Sequence, residues 1–496
     1  MASTTETAGD RQQAAAVGWW PLAVIASAHL MAILDATIMF VALPSAQRAV
    51  GLPAAGGQWI VTAYTLAFAA LLLVGGRLAD RLGARRTLLA GVICFAAASA
   101  AGGAATTGAM LLSARAVQGA AAALLVSSTK SLLVTVYADA DERSRAIGVF
   151  TATLTAGGAL GLVLGGVLTT TLGWRWCLYV NVAVALIAIV GGPRALPAVP
   201  GRREIRIDPA SAVLAAAGMA ALVYGLGEAS SAGWGSAPVA GSLAGAAVAL
   251  AAFAIRQAGR PAPLLPLPVI ADRNRGGALL AMIVNSLSTF GMLLILTYQL
   301  QTVLAYSALR TGLALLPFAV GAALTAAVIA PRLGRRLAPR WPITVGLLLS
   351  AAGLALLIAV NPGTRYLPLI FAATLVEGVG TGLGGPAILR TALAAVRPAD
   401  VGAASAAHST AGQLGSSIGA ALLSTIAATT AAGYLAGHRA ASAQTAADHG
   451  YAVALAWGVG ILLAAAAPVA LLLNAPAPRP ATGEAAGPRA PTADVS

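Results

Sequence analysis

The sequence contains few charged residues, 9% of 496, whereas a soluble globular domain has roughly a quarter. Its two cysteines, Cys94 and Cys177, both lie in apolar runs, so no disulfide framework is indicated. No cluster of His, Cys and carboxylate residues has the spacing of a metal site. No phosphate loop ending in Lys-Ser or Lys-Thr occurs, and no Ser-His-Asp constellation can be argued from spacing. These absences argue against a metalloprotein, an ATP-driven pump and a hydrolase.

Hydrophobic residues make up 58% of the chain, which predicts an all-α membrane protein. A helix needs about 20 mostly apolar residues to span a bilayer. The first apolar run is long and has no clear cleavage site, so we expect a retained span rather than a signal peptide. Fourteen spans are predicted: Trp20–Leu43, Trp59–Val74, Thr87–Ala105, Ala109–Thr129, Ala146–Leu172, Cys177–Gly191, Ala210–Leu226, Val239–Ile255, Gly277–Leu304, Gly312–Ala330, Ile343–Val360, Leu367–Leu389, Ala403–Ala431 and Tyr451–Leu473.

The distribution of basic residues predicts the orientation in the membrane. The net charge of +14 does not indicate a nucleic-acid partner, because no basic stripe is interleaved with aromatic residues. With the N-terminus inside, the predicted inner segments hold 24 of the 30 basic residues and Arg115 lies within a span. The predicted outer segments hold five arginines, Arg48, Arg175, Arg310, Arg365 and Arg439. This asymmetry predicts cytoplasmic termini. Only one basic residue, Lys130, is a lysine, and with so much alanine the sequence is typical of a high-GC bacterial genome, so we expect a multi-pass protein of the bacterial cytoplasmic (inner) membrane.

Two internal echoes predict a repeated architecture. Arg115-Ala-Val-Gln-Gly119 in span four resembles Thr374-Leu-Val-Glu-Gly378 in span twelve, and the turn after span two resembles the turn after span ten. Both echoes are eight spans apart, so we expect two six-helix bundles related by pseudo-two-fold symmetry, with two inserted helices. The predicted divisions are a disordered N-terminus at 1–16, a first bundle at 17–192, a linker with helices 7 and 8 at 193–275, a second bundle at 276–474 and a disordered tail at 475–496.

The segment between spans two and three reads Gly-Arg-Leu-Ala-Asp-Arg-Leu-Gly-Ala-Arg-Arg and resembles the signature loop of the major facilitator superfamily. Its glycines permit tight approach and a sharp turn, and its aspartate can accept hydrogen bonds from arginines or a helix N-terminus. The alternative is a simple positive-inside anchor. The residues expected to form a conformational latch are Gly76, Asp80, Arg81, Gly83, Arg85 and Arg86.

Two charged residues lie within the predicted spans of the first bundle. Asp35 belongs to Leu-Asp-Ala-Thr-Ile-Met-Phe-Val-Ala-Leu-Pro44, which resembles the first-span motif of the fourteen-span drug:proton antiporter family. Arg115 and Gln118 share a helix face, and Arg115 lies at a similar depth to Asp35. A carboxylate inside a span costs about 2.5–3.5 kcal/mol, so it should have a partner. We expect an Asp35–Arg115 pair, with Asp35 acting in proton coupling or as a purely structural hydrogen-bonding group.

Glu377 is a second acid near the middle of the membrane, on a polar stripe with Thr374 and Thr381. An ionisable residue at such a depth is a functional candidate, and desolvation favours its protonated form. We expect Glu377 to be a proton or cation site; packing polarity is the alternative. Both acids are expected in a water-accessible crevice between the bundles. The predicted substrate cavity is lined by Gln118, Asn285, Ser288, Thr289, Thr374 and Thr381.

Span five carries a set of glycines that resembles the antiporter motif of the superfamily. Gly157, Gly161 and Gly165 repeat at i, i+4, which lets a neighbouring helix approach closely. The proline of that motif stands as Leu162 here, so the kink it gives is expected to be lost. The motif glycines are Gly148, Gly157, Gly161, Gly165 and Gly166.

The resemblance, which covers residues 20 to about 420, implies a secondary transporter rather than an enzyme. It implies export of amphipathic drugs or secondary metabolites in exchange for protons, as in multidrug efflux and antibiotic resistance. The expected partners are protons, lipid and a lipophilic or cationic small molecule, with no cofactor beyond the proton gradient and a monomeric state. Three alternatives are an importer or uniporter, suggested by Leu162, a polytopic membrane enzyme, and a sensor or scaffold on the same fold.

Overall fold

The computed structural model describes residues 19–53, 56–137, 139–198, 200–201, 208–260, 271–394, 396, 401–438 and 440–474. The predictions for the N-terminal segment 1–16 and the tail 475–496 lie outside the described residues.

The described residues form helices and contain no strand. In chain order the helical elements are α1 Trp19–Ala49, α2 Gln58–Leu82, α3 Ala84–Gly103, α4 Gly108–Val136, α5 Ala140–Thr171, α6 Trp176–Ala195, α7 Pro209–Ala232, α8 Ala237–Ala258, α9 Arg273–Val303, α10 Ala308–Gly334, α11 Arg340–Leu357, α12 Tyr366–Leu393, α13 Val401–Gly437 and α14 Ala443–Leu472.

Length and apolar composition qualify twelve helices of the described chain as membrane spans. The number rises to thirteen if α2 is one span, because it bends by 54° between Gln58–Leu72 and Val74–Leu82. The apolar stretch of α5, Ala156–Thr171, is shorter than the others. The structure is therefore an all-helical protein with about twelve or thirteen candidate spans.

Side chains at several helix starts satisfy backbone groups that the helix itself leaves unpaired. The side-chain oxygens of Thr107, Asp272, Ser307 and Ser442 accept hydrogen bonds from the backbone N–H groups three residues further on, at 3.0–3.3 Å. Such N-caps contribute about 1 kcal/mol each. They matter more near a bilayer, where water is scarce and every backbone donor needs a partner.

Several of the predicted spans have irregular backbones that hydrophobicity does not reveal, among them α9 and α10. Helix α9 ends in a π-helical turn at Gln299–Val303, and α10 contains another at Thr325–Ile329. Pro317 and Pro331 each lie in the first turn of a helical piece of α10, where a missing N–H is tolerated. The single run predicted at Gly312–Ala330 is therefore part of one helix that is interrupted at Leu315 and at Thr325–Ile329, because composition does not report on backbone hydrogen-bond register.

The first six helices pack chiefly against one another, and so do the last six. Helix α4 packs on α2 and α3, and α1 on α5; in the second group α11 packs on α12 and α9 on α13. One buried apolar cluster lies within α1–α6 and the connecting residues Tyr137 and Leu196, whereas a larger one contains residues of both groups. We call the two groups the N half, α1–α6, and the C half, α9–α14.

Hydrogen bonds join the two halves at the end that the arginine distribution predicts to be outer. Gln301 Nε2 donates to the carbonyl of Val41 at 2.8 Å, and the Tyr298 hydroxyl donates to Gln47 Oε1. The backbone N–H of Leu309 donates to Thr170 Oγ1 at 3.2 Å. Both halves also contribute to the larger apolar cluster near this end. The predicted outer end is therefore closed in this conformation.

The inserted pair α7–α8 lies against both halves. Gln58 Nε2 of α2 donates to the carbonyl of Gly227 at 3.3 Å, and Thr425 Oγ1 of α13 donates to the carbonyl of Leu226 at 3.0 Å. Adjacent carbonyls of α7 thus accept one donor from each half. The inserted pair is consequently placed to respond to any relative movement of the halves.

An ion pair between Asp208 and Arg256 joins the start of α7 to the end of α8. Arg256 donates to both carboxylate oxygens of Asp208, at 2.7 and 3.1 Å, and Ser211 Oγ donates to Oδ2. The hydrogen bonds from Arg256, and then from Ser211, hold the pKa of Asp208 well below its usual range. The bidentate geometry fixes the hairpin more specifically than a single charge contact would.

The motif glycines of α5 allow α1 to approach closely. A Cβ at Gly157 would overlap Leu30, one at Gly161 would overlap Thr37 Oγ1, and one at Gly165 would lie 2.8 Å from the carbonyl oxygen of Ile38. A Cβ at Gly166 would instead lie 2.7 Å from Leu309 Cα, in the C half. The predicted close approach is confirmed at Gly157, Gly161 and Gly165.

Gly148 differs from the other motif glycines, since a Cβ there would meet nothing within 4 Å. Packing therefore gives no reason for glycine at this position. The prediction of close approach concerned Gly157, Gly161 and Gly165, and Gly148 lies outside that i, i+4 repeat.

Replacement of Gly161 by alanine should destabilise the α1–α5 contact by about 1–3 kcal/mol, because the new methyl group overlaps Thr37. The measurement is the melting temperature of the purified protein in detergent. Gly158→Ala is the matched control, since a Cβ at Gly158 meets nothing within 4 Å. The control should be neutral or slightly stabilising; equal melting temperatures for both variants would contradict the packing argument.

Candidate functional site

A buried polar cluster in the N half surrounds Asp35 of α1. Asp35 Oδ2 accepts from Arg115 Nη1 at 2.5 Å, and Oδ1 accepts from Gln118 Nε2 at 3.2 Å and Asn181 Nδ2 at 2.8 Å. Gln118 Nε2 also donates to Ser99 Oγ at 2.7 Å. Each of these side chains is at most 1% exposed. Helices α1, α3, α4 and α6 thus meet through one connected hydrogen-bond network.

Arg115 is held by partners on several sides. Its Nε donates to the carbonyl of Ile60 at 3.0 Å, and Nη1 also donates to Gln118 Oε1 at 2.9 Å. The guanidinium carbon lies 4.5 Å from the centroid of the Tyr64 ring, a cation–π contact. The predicted contact between Asp35 and Arg115 is confirmed. Both charges are neutralised within the N half rather than exposed to lipid.

Asn181 is a member of the site that our candidate set did not include. It lies two residues after Tyr179 within a run that is otherwise apolar, Cys177–Gly191. A polar amide inside a short apolar span was the available signal. Its Oδ1 is buried and has no hydrogen-bond partner among the described residues. The Asn181 amide therefore donates to Asp35 through Nδ2, while its acceptor Oδ1 has no partner among the described residues.

Glu377 of α12 forms a separate buried cluster in the C half. Its Oε1 accepts from Thr289 Oγ1 at 3.0 Å and from Thr381 Oγ1 at 3.3 Å, and the two hydroxyl oxygens lie 3.2 Å apart. Gly353 of α11 packs against the Glu377 side chain, since a Cβ there would lie 2.7 Å from Glu377 Cβ. Oε2 is buried and has no hydrogen-bond partner in the described part of the chain.

The two clusters differ in charge compensation. Asp35 accepts from three donors across its two oxygens, and one of them is the guanidinium of Arg115. Glu377 forms no ion pair among the described residues, and its neighbours on Oε1 are neutral hydroxyls. An uncompensated carboxylate is costly in a low-dielectric interior, whereas a neutral carboxyl or a bound cation removes that cost.

The remaining predicted cavity residues are only partly brought together. Thr374 Oγ1 donates to the carbonyl of Ile370 on its own helix at 2.8 Å, so its hydroxyl does not join Glu377. Asn285 is buried, and Ser288 is fully buried with no hydrogen-bond partner in the described structure. Thus Gln118 joins Asp35, and Thr289 and Thr381 join Glu377. The period of a helix predicts a shared face but not which neighbour that face meets.

A contact between two aromatic rings joins α1 of the N half to α9 of the C half. The rings of Phe40 and Phe290 lie 5.5 Å apart at an interplanar angle of 62°. Asp35 lies five residues before Phe40, and Thr289 immediately precedes Phe290. The seam between the halves therefore passes close to both clusters.

Neither carboxylate is open to water in this conformation. Asp35 and Glu377 are each 0% exposed. The expectation that both lie in a water-accessible crevice was wrong for this state. The reason is that helices from one half enclose each carboxylate, and contacts between the halves close the predicted outer end.

The loop expected to form a latch is more helical than predicted. Helix α2 continues to Leu82, and Gly83, with φ 92°, alone breaks it before α3. A Cβ at Gly76 would meet nothing within 4 Å, so tight approach at Gly76 was a wrong prediction. The close contact is made by Gly75, where a Cβ would lie 2.7 Å from the Ala123 carbonyl oxygen.

The charged residues of this turn lie at the helix ends. Arg85 Nη1 donates to the carbonyl of Leu196, at the end of α6, at 3.1 Å. Asp80, Arg81 and Arg86 are exposed. The turn is thus tied to the segment that follows α6, and its role as a latch stays a prediction.

Comparison with known proteins identifies the class to which this architecture belongs. A family model described as Major Facilitator Superfamily matches residues 25–420. The chain belongs to the major facilitator superfamily. It is therefore a membrane transporter and not an enzyme.

Sequence relatives include exporters of antibiotics. The chain is 42% identical to the puromycin resistance protein pur8 of Streptomyces alboniger, over 90% of each chain. It is 36% identical to the cephamycin export protein CmcT of Amycolatopsis lactamdurans, over 79% of this chain and 82% of the relative. It is 31% identical to the multidrug efflux pump LfrA of Mycolicibacterium smegmatis, over 80% and 78%.

Solved structures share the fold at low sequence identity. A bacterial homologue of the human lysosomal transporter Spinster, in an inward-facing and unoccupied conformation, matches with a TM-score of 0.64 at 16% identity, over 91% of this chain and 96% of the other. A peptide transporter in complex with sulfate matches with a TM-score of 0.63 at 17% identity, over 91% and 95%. These likenesses establish the fold alone.

Replacement of Arg115 by methionine should destabilise the protein by about 3–5 kcal/mol, because Asp35 is left as a buried, uncompensated charge. The double variant Asp35→Asn/Arg115→Met should lose less, since both charges are then removed. Thermal unfolding in detergent measures the difference. Equal losses in the single and double variants would show that the pair is not the stabilising unit.

Proposed function

We propose that this transporter exports amphipathic, drug-like or secondary-metabolite compounds from the cell in exchange for protons. The substrate class is supported by relatives named for puromycin resistance, cephamycin export and multidrug efflux. The observation that carries proton exchange is the presence of one membrane-buried acid in each half, Asp35 and Glu377. Acids at such depth are retained for function, because each costs several kcal/mol in a bilayer.

The proposal includes fourteen spans, with both termini in the cytoplasm of a bacterium and a monomeric state. Helix α5, Ala140–Thr171, is the additional span. Its length of 32 residues exceeds what a bilayer requires. An even number of spans places 24 of the 30 basic residues inside, as the positive-inside rule favours. The predicted halves at 17–192 and 276–474, with 193–275 between them, follow from the count of fourteen spans: six in each half and two in the inserted segment.

Asp35 and Glu377 are proposed to have different tasks. Asp35 already pairs with Arg115, so a proton bound to Asp35 would cancel the negative charge that compensates the guanidinium. Loss of that compensation would leave Arg115 as an unpaired buried charge and would be coupled to movement of α1 against α4. Glu377 has one oxygen without a partner and no cation to displace. We assign the exchangeable proton chiefly to Glu377, and a switch in helix contacts to Asp35 and Arg115.

Transport would proceed by alternating access. The closed predicted outer end must open for release, which requires loss of the Tyr298–Gln47 and Gln301–Val41 hydrogen bonds. The turn that contains Gly83 would act as the latch at the opposite end. A cavity bounded by two carboxyls suits cationic or neutral lipophilic substrates, since anions would be repelled.

The second candidate is an importer or uniporter, which the absent motif proline at Leu162 suggests. The carbonyl of Leu162 nevertheless lies against Gly312 of the C half, where a Cβ would overlap it. The close approach between α5 and α10 is therefore kept without the proline. This contact favours the exporter.

Replacement of Glu377 by glutamine should abolish substrate transport driven by an imposed pH gradient, because the amide cannot exchange a proton. The measurement is uptake of a fluorescent lipophilic cation by inside-out proteoliposomes that contain the purified protein. Asp35→Asn should slow transport without abolishing substrate binding. Thr391→Val is the control, since the Thr391 hydroxyl only donates to the carbonyl of Ala387 on its own helix.

Two outcomes would contradict this proposal. If the Glu377→Gln variant kept pH-driven transport at the wild-type rate, the assignment of the exchangeable proton to Glu377 would be wrong. Transport by wild-type protein that is unaffected by collapse of the pH gradient would favour the uniporter instead.

A further inference from the structure

Glu377 belongs to a triangle of oxygens that has the dimensions of a cation site. Its Oε1, Thr289 Oγ1 and Thr381 Oγ1 are separated by 3.0, 3.2 and 3.3 Å. Oε2 of the same carboxyl is buried and lacks a hydrogen-bond partner among the described residues. Neither protonation state satisfies Oε2 from the protein, because a carboxylate lacks a donor there and a carboxylic acid lacks an acceptor.

We infer that Glu377, Thr289 and Thr381 form a binding site for a monovalent hard cation, and that Na⁺ is its ligand. The inference deepens the proposed function, because it concerns the same carboxyl and its place beside the seam between the halves. It assigns to this carboxyl a second ligand besides the proton.

The spacing of the oxygens supports a cation of this size. Na⁺ has nearly the ionic radius of Ca²⁺, whose oxygen ligands lie at about 2.3–2.6 Å. Neighbouring oxygens that share such an ion are separated by about 3.0–3.5 Å. All three sides of the triangle lie in this range. The hydroxyl hydrogens of Thr289 and Thr381 can remain on the carboxylate while their lone pairs face the ion.

The charge of the surroundings supports a monovalent ion. Glu377 forms no ion pair within the described residues, so one bound monovalent cation would make the cluster neutral. A divalent cation would leave a net positive charge inside the bilayer, which is costly. Hard oxygen ligands without sulfur or imidazole also disfavour transition metals.

The internal repeat accounts for the lack of a positively charged side chain beside Glu377 among the described residues. Arg115 and Gln118 of α4 correspond in the sequence echo to Thr374 and Glu377 of α12. In the N half the guanidinium of Arg115 compensates Asp35. In the C half the corresponding residue is a threonine whose hydroxyl bonds to its own helix. A bound Na⁺ would therefore supply the charge that Arg115 supplies in the other half.

The test is direct binding of radioactive Na⁺ to the purified full-length protein in detergent, with choline as the background cation. Wild-type protein should bind Na⁺ saturably. Thr289→Val and Thr381→Val keep the side-chain shape and should each weaken Na⁺ binding by about tenfold or more, as loss of a ligand or its support does. The control Thr391→Val should stay within about twofold of wild type, because Thr391 is buried on the same helix but bonds only to Ala387.

The outcomes separate this inference from the proposed function. Absence of saturable Na⁺ binding to wild-type protein, or binding that is unchanged in both threonine variants, would overturn the cation site. Loss of pH-driven transport in Glu377→Gln would then still support proton exchange. Conversely, threonine-dependent Na⁺ binding without pH-driven transport would support the site and overturn the proton mechanism. Size-exclusion elution at the wild-type volume confirms that each valine variant is folded.

Discussion

The cost of charge in a low-dielectric interior is the constraint on which the arrangement of this protein depends. Asp35 and Arg115 are almost completely buried and are in direct contact. A single carboxylate at the middle of a span costs about 2.5–3.5 kcal/mol even on a lenient scale. The pair is therefore stable only while α1, α4 and α6 hold Asp35, Arg115 and Asn181 in register. Close packing of α1 on α5 through Gly161 and Gly165 supports that register from the other side of α1.

The same constraint is met differently in the two halves. The N half compensates its acid with a guanidinium, whereas the C half surrounds its acid with threonine hydroxyls. A compensated acid resists protonation because the neighbouring guanidinium favours the ionised carboxylate. An acid without a cationic neighbour lacks this resistance. The two halves can thus have different roles in transport. The Asp35–Arg115 contact would switch in the N half, and Glu377 would exchange its ligand in the C half.

The contacts between the halves show how such events could be transmitted. Tyr298 and Gln301 of α9 follow Thr289 on the same helix and bond to α1 of the N half. Asp35 is on that same α1. Helices α1 and α9 therefore connect both acids to the closed predicted outer end. The inserted α7 accepts one donor from each half at adjacent carbonyls, so it adds a further contact that must adjust when the halves move.

Much of the site could be predicted from sequence because it consists of exceptions to an apolar background. Asp35, Arg115 and Glu377 stand out where almost every neighbour is apolar, and helix rise was enough to place Asp35 and Arg115 at a common depth. Asn181 was missed because an amide is a weaker exception than a charge. Gly76 was misjudged because composition does not distinguish a glycine inside a helix from one in a turn, whereas Gly83 has the positive φ that the turn requires.

The sequence by itself determined the membrane class, the family and the residues that carry charge into the bilayer, since hydrophobicity and motif spacing are local properties of the chain. Only the tertiary structure decided which helices meet. It placed Thr289 and Thr381 on Glu377, turned Thr374 back to its own helix, and closed both acids off from water. These facts depend on the rotation and tilt of one helix against another. Such rotations are fixed by packing between residues far apart in the chain, which no local pattern records.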